Sequence, residues 1–97
     1  MTTFNDLTFE TYDGDTLRKG KGSRVHFDNG YGASVVSHTF SYGGALGLYE
    51  IAVLRGGDIV YDTPITSDVI GHLTEEDVTE VLKQIQQLPK YDTDNAN

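Results

Sequence analysis

The residues best suited to chemistry in this chain are three histidines, His26, His38 and His72, and each stands alone. Two imidazoles share one helical face only at spacings such as H-x-x-x-H or H-E-x-x-H, and neither occurs, so no local metal site is expected. With no cysteine, the chain has no thiolate nucleophile, no Cys-based zinc site and no disulfide. Ser34, Ser37 or Ser41 could join His38 and Asp62 in a nucleophilic set. The G-x-S-x-G elbow is missing, however, and these residue types occur in most chains of this size. Arg18-Lys19-Gly20-Lys21-Gly22-Ser23 has glycines, but no G-x-x-x-x-G-K-[ST] pattern and no helix pattern after it. It reads as a polar loop rather than a phosphate cradle. No enzyme is expected, and no catalytic, cofactor-binding or metal-ligating residue is assigned.

What remains are groups suited to contact. Tyr31, Tyr42, Tyr49 and Tyr61, with Phe40, are many aromatics for so short a chain, and tyrosine is enriched at protein interfaces. Rings on strands serve a core equally well. Glu50 interrupts an otherwise apolar run, Leu48–Leu54, so its burial would raise its pKa or demand a partner such as Arg24 or Arg55. The alternative is a place near a sheet edge, in reach of water. These five residues, Tyr31, Tyr42, Tyr49, Glu50 and Tyr61, are the candidate protein-interaction set.

Ninety-seven residues make one small domain. Such a chain buries roughly 60–65% of its unfolded surface, enough for a core without metal or cross-links. The net charge of −8 is uneven: residues 1–24 balance four acids with four bases, whereas residues 25–97 hold eleven acids against Arg55, Lys83 and Lys90. That surface repels nucleic-acid phosphates and steers towards a basic partner, although acidity also serves solubility. Met1–Asp6 has no basic or apolar leader character, and no run reaches the ~20 apolar residues of a membrane helix. Neither a secretion signal nor a membrane partner is expected.

The elements that must position the candidates follow from periodicity. Residues 1–6 are expected to fray, and Leu7–Thr11 alternates like a strand. Tyr12–Asp15 is turn chemistry. Arg24–Phe27 and Tyr31–Val36 flank Asp28-Asn29-Gly30, a hairpin. A three-residue turn with Gly30 left-handed puts Val25, Phe27, Tyr31, Ala33 and Val35 on one face, and a two-residue turn scatters them. Residues 37–47, rich in glycine, are expected to form a loop or an irregular strand extension, or else a mobile flap over a pocket. Leu48–Leu54 and Ile59–Tyr61 form a second hairpin around Gly56-Gly57, and the first of these runs, apolar on both faces, is the candidate central strand. Thr63-Pro64 ends the last strand or places it at an edge, with Ser67 or Asp68 capping a turn through Val69-Ile70. Thr74 with Asp77 forms a capping box, Leu73 with Val78 a staple, and Val78, Val81, Leu82, Ile85 and Leu88 one helical stripe ended by Pro89. The expected fold is a two-layer α+β domain over residues 1–89, with an antiparallel sheet of four to five strands, one C-terminal amphipathic helix packed on it and a disordered tail, 90–97.

The segments Asn29–Val36, Ser41–Gly44, Gly47–Glu50 and Tyr61–Ile70 together resemble a group of small tailed-bacteriophage proteins of unknown function, over about residues 25–89. The resemblance implies an accessory protein made in the cytoplasm of an infected bacterium, where such proteins often bind and block a host factor. It carries no site residues. Our expectation is therefore a non-enzymatic module that binds a host or phage protein, without cofactor. Self-association as a structural protein and DNA mimicry against a nucleic-acid enzyme are the alternatives.

Overall fold

In a computed structural model that describes residues 1–11 and 19–91, six antiparallel strands form one sheet backed by one helix. The strands are β1 (Glu10–Thr11), β2 (Gly20–His26), β3 (Tyr31–His38), β4 (Tyr49–Arg55), β5 (Asp58–Ile59) and β6 (Ile70–Leu73), and the helix is α1 (Glu75–Gln86). The order is β1-β2-β3-β4-β5, with β6 also on β4. No helix among the described residues is long and apolar enough to cross a membrane.

The first hairpin takes the register that burial demands. Val25 faces Ala33, Phe27 donates its N–H to Tyr31 O at 2.8 Å, and Gly30 is left-handed at φ 87°. A slip of one residue would turn Ala33 and Val35, both fully buried, outwards. The strand β2 also includes Gly20–Ser23, which composition assigns to a loop. Glycine suits this stretch because a Cβ at Gly20 would overlap the Ser37 carbonyl of β3.

The strand β4 is central, as its two apolar faces require: β3 lies along one side, and β5 and β6 share the other. Gly56 and Gly57, at φ 60° and 90°, make the tight turn into β5. Ile59 lies opposite Leu54, Val60 donates to Val53 O, and Ile70 lies opposite Ile51. Residues 61–69 therefore loop out opposite Ala52 alone, dividing one edge strand into β5 and β6. Pro64, which cannot donate to a ladder, sits in that excursion. No helical turn forms at Val69-Ile70; Asp68 Oδ1 instead accepts the Val69 N–H at 2.8 Å, and Ile70 begins β6.

Tyr49, Ile51, Val53, Ala33, Val35 and Leu73 face Val78, Val81, Leu82 and Ile85 of α1 in one core. Each fully buried aliphatic side chain of this kind is worth about 1.5–3 kcal/mol relative to exposure. The capping box is formed in both directions, Asp77 N–H to Thr74 Oγ1 at 3.1 Å and Thr74 N–H to Asp77 Oδ2 at 3.0 Å.

Both ends of the described chain are more ordered than composition suggests. Residues 1–6 do not fray: the Gln86 side chain brackets Thr2, accepting its N–H at 2.8 Å and donating to its carbonyl at 2.9 Å. Phe4 donates its N–H to Thr79 Oγ1 and packs edge-on to Tyr49. Tyr91, assigned to the tail, is held by Asn29, while residues 92–97 and the expected turn at 12–15 lie outside the described residues.

Candidate protein-interaction site

The segment between β3 and β4 is where sequence and geometry part most. Residues 39–48 fold into consecutive tight turns around a short 3₁₀ turn at Gly44–Leu46. Ser41 Oγ accepts the His38 N–H and donates to the His38 carbonyl, both at 2.9 Å, while Phe40 N–H reaches His38 Nδ1 at 3.1 Å. Gly44 donates to Ser41 O, and Leu46 and Leu48 both donate to Gly43 O. The backbone needs glycine at Gly43 (φ 92°) to make this reversal.

The loop is pinned to two strands. Tyr42 donates its N–H to Glu50 Oε1 at 3.0 Å, and its carbonyl accepts the His72 N–H at 3.0 Å. On β6, Gly71 and His72 together oppose Glu50, a one-residue bulge that leaves His72 left-handed at φ 56°. A Cβ on Gly71 would overlap Tyr42 Cβ, so glycine there lets the loop seat on the strand edge. Covering an edge with a loop also blocks strand-to-strand aggregation. The two Tyr42 bonds tie the segment to β4 and β6. The concavities of about 470 Å³ (bordered by Thr2, His26, Asp28 and Gln86) and 140 Å³ (bordered by Phe4 and Glu75) do not include it.

On that support three large apolar side chains point into solvent: Phe40 is 67% exposed, Tyr42 62% and Leu46 74%. A chain with a free choice would turn such residues inward. Their concentration within seven residues, on backbone already ordered, matches the anatomy of a protein-contact hot spot.

The five sequence candidates do not form one surface. Tyr42 lies on the loop and Glu50 beside it on β4, where Glu50 is half-buried and takes the Tyr42 N–H rather than Arg24 or Arg55 as partner. Tyr49 is excluded as a contact residue: it is 6% exposed, packed by Phe4 and Phe9 and approached by the Lys21 ammonium at 5.4 Å. Tyr31 is half-buried beside Tyr91, and Tyr61 is exposed at the start of the 61–69 excursion. Leu46 has no place in the sequence reading, and Phe40, grouped there with the tyrosines, stands outside the five candidates. Their signal is three large apolar residues set among Gly43, Gly44 and Gly47, in a segment with no period that could bury them.

Several charged groups have local partners. Arg55 holds Asp62 through two 3.0 Å bonds, stacks 4.9 Å above Tyr91 and is engaged by Tyr31, so its pKa is raised, chiefly by Asp62. Lys83 lies 3.9 Å from Glu80. Arg24 stretches to Gly57 O. Of the Ser–His–Asp candidates, Asp62 is engaged by Arg55, and Ser37 and Ser41 bond to backbone carbonyls. Among the described residues no three His, Asp or Glu side chains converge on a possible cation. Searches of protein-family models, curated proteins and solved structures find no match to this chain. The structure is thus a two-layer α+β domain with Phe40, Tyr42 and Leu46 exposed on one loop.

Proposed function

We propose that the chain is a non-enzymatic module that binds another protein through the 39–48 loop. The observation that carries this reading is the exposure of Phe40, Tyr42 and Leu46 on backbone fixed by Glu50 and His72. Pre-ordered contact residues lose little conformational entropy on binding, so their apolar area converts to affinity with less loss. The acidic balance favours a partner carrying basic groups around an apolar recess. The resemblance to tailed-bacteriophage proteins makes a host or phage protein in the bacterial cytoplasm the partner class, with a host factor blocked by the contact. DNA mimicry is less favoured, because Arg55 and Lys83 interrupt the acids at Asp62 and Glu80.

The experiment is capture from bacterial lysate by the immobilised wild-type chain and by a Phe40→Ser, Tyr42→Ser, Leu46→Ser variant of equal melting temperature. A protein retained by the first and lost by the second supports the reading. The same proteins retained by both, or none by either at low salt, overturns it. Light scattering on the wild-type chain separates self-association from a foreign partner.

A further inference from the structure

Asn29 does more than make a turn. Its side-chain Nδ2 donates to Ile85 O at 2.9 Å and Leu88 O at 3.1 Å, with Gln86 O at 3.4 Å. These carbonyls lie at and just beyond the C-terminal end of α1, where helical N–H partners run out, although Ile85 O also accepts the Leu88 N–H at 3.2 Å. Its Oδ1 accepts the Tyr31 N–H at 3.1 Å, and its backbone carbonyl accepts the Tyr91 N–H at 2.8 Å. One residue, through its side-chain amide and its backbone carbonyl, therefore joins the first hairpin, the helix end and the segment leading to Tyr91.

The next residue is glycine. An Asn-Gly pair is the most labile setting for asparagine, because no side chain shields the following nitrogen. The Gly30 nitrogen, losing its proton, bonds to Asn29 Cγ; the tetrahedral adduct then expels Nδ2, which takes up a proton and departs as ammonia, leaving a succinimide. Water then opens the ring to aspartate or isoaspartate.

In the fold every participant is occupied. The Gly30 N–H is donated to Phe27 O at 3.2 Å, and Nδ2 is held by carbonyls on the helix. Tyr91 also covers the glycine: a Cβ at Gly30 would meet Tyr91 Cβ at 3.3 Å. The ring is in turn held by Arg55 and Tyr31.

We propose that Asn29 is a deamidation site latched shut by the segment 87–91, and that its conversion unfastens the helix end irreversibly. The product carboxylate has no hydrogen to donate and stands against the carbonyls of Ile85 and Leu88. Isoaspartate also lengthens the turn backbone. The latch cannot re-form on either product, so opening is recorded as a covalent change.

The test follows deamidation by peptide mass in mildly alkaline buffer for the native chain, the chain in urea, and a folded Tyr91→Ala variant. The native chain is expected to react at least about tenfold more slowly than the unfolded one, with the variant in between. Aged product, separated by charge, is expected to melt about 5 °C or more below fresh protein. Equal rates for the native and urea-unfolded chains, a variant as slow as the native protein, or aged product with an unchanged melting temperature would each overturn the proposal. Because aged product is measured directly, failure of an Asn29→Asp variant to fold leaves the test intact.

Discussion

The Tyr42 N–H and the Glu50 carboxylate meet at 3.0 Å, eight residues apart, where the loop crosses the start of β4. A carboxylate in the middle of an apolar strand is thereby accounted for: it anchors the backbone that carries the exposed aromatics. Removing it in Glu50→Ala leaves the Tyr42 N–H without that partner and is expected to cost about 1–2 kcal/mol, since this bond is made to a charged group. Amide exchange at Tyr42 should accelerate in that variant while exchange in α1 holds. Unchanged Tyr42 protection would show that the carboxylate does not hold the loop.

His72 is the one non-glycine residue among those described with a positive φ. The left-handed conformation costs an L-residue roughly 1–2 kcal/mol, partly offset in glycine by a freer unfolded chain. The substitution His72→Gly is expected to stabilise the fold by about 0.5–1 kcal/mol in urea unfolding. Its neighbour behaves oppositely: Gly71→Ala forces a methyl against Tyr42 and is expected to destabilise the fold and disorder the loop.

Asp77, Asp6 and Asp62 all have pKa values lowered from the ordinary 3.8, the first two mainly by the backbone N–H groups of Thr74 and Thr3, the third by Arg55. A carboxylate depressed in the folded state contributes its stabilisation above the unfolded pKa and loses it as pH falls through the folded value. Acidification below about pH 4 is therefore expected to lower the urea midpoint, because the unfolded chain takes up protons that the folded chain refuses. Asp77→Asn should be less stable at neutral pH and show a shallower acid slope. An unchanged slope would remove Asp77 from the acid response.

Most of the fold is legible in the chain because its local signals agree. Thr74, Asp77 and Pro89 bound the helix, Val78, Val81, Leu82 and Ile85 choose its face, and the pairing of Val25 with Ala33 follows from burial alone. The features missed depend on contacts between distant residues. Gln86 reaches Thr2 across 84 positions and Asn29 reaches Leu88 across 59, and no periodicity encodes either. The candidate site is legible only in part. Tyrosine content marks Tyr42 but equally Tyr49, and only the fold separates a ring on the loop from a ring beneath Phe4.

The last prediction separates binding from stability. Ile85 is fully buried and Leu46 is 74% exposed, so their truncations should behave as opposites. Ile85→Ala is expected to cost about 2–5 kcal/mol through lost transfer energy and a cavity under the sheet. Native stability for domains is only about 5–15 kcal/mol, so that variant approaches unfolding. Leu46→Ala, touching no core residue, is expected to stay within about 0.5 kcal/mol of wild type. If the loop is the contact surface, the same change should weaken partner capture by about tenfold or more, which corresponds to ~1.4 kcal/mol. Thermal melting and titration against the captured partner, on the same two variants, read both axes at once. A Leu46→Ala chain that is equally stable and equally retained would move the contact surface away from this loop.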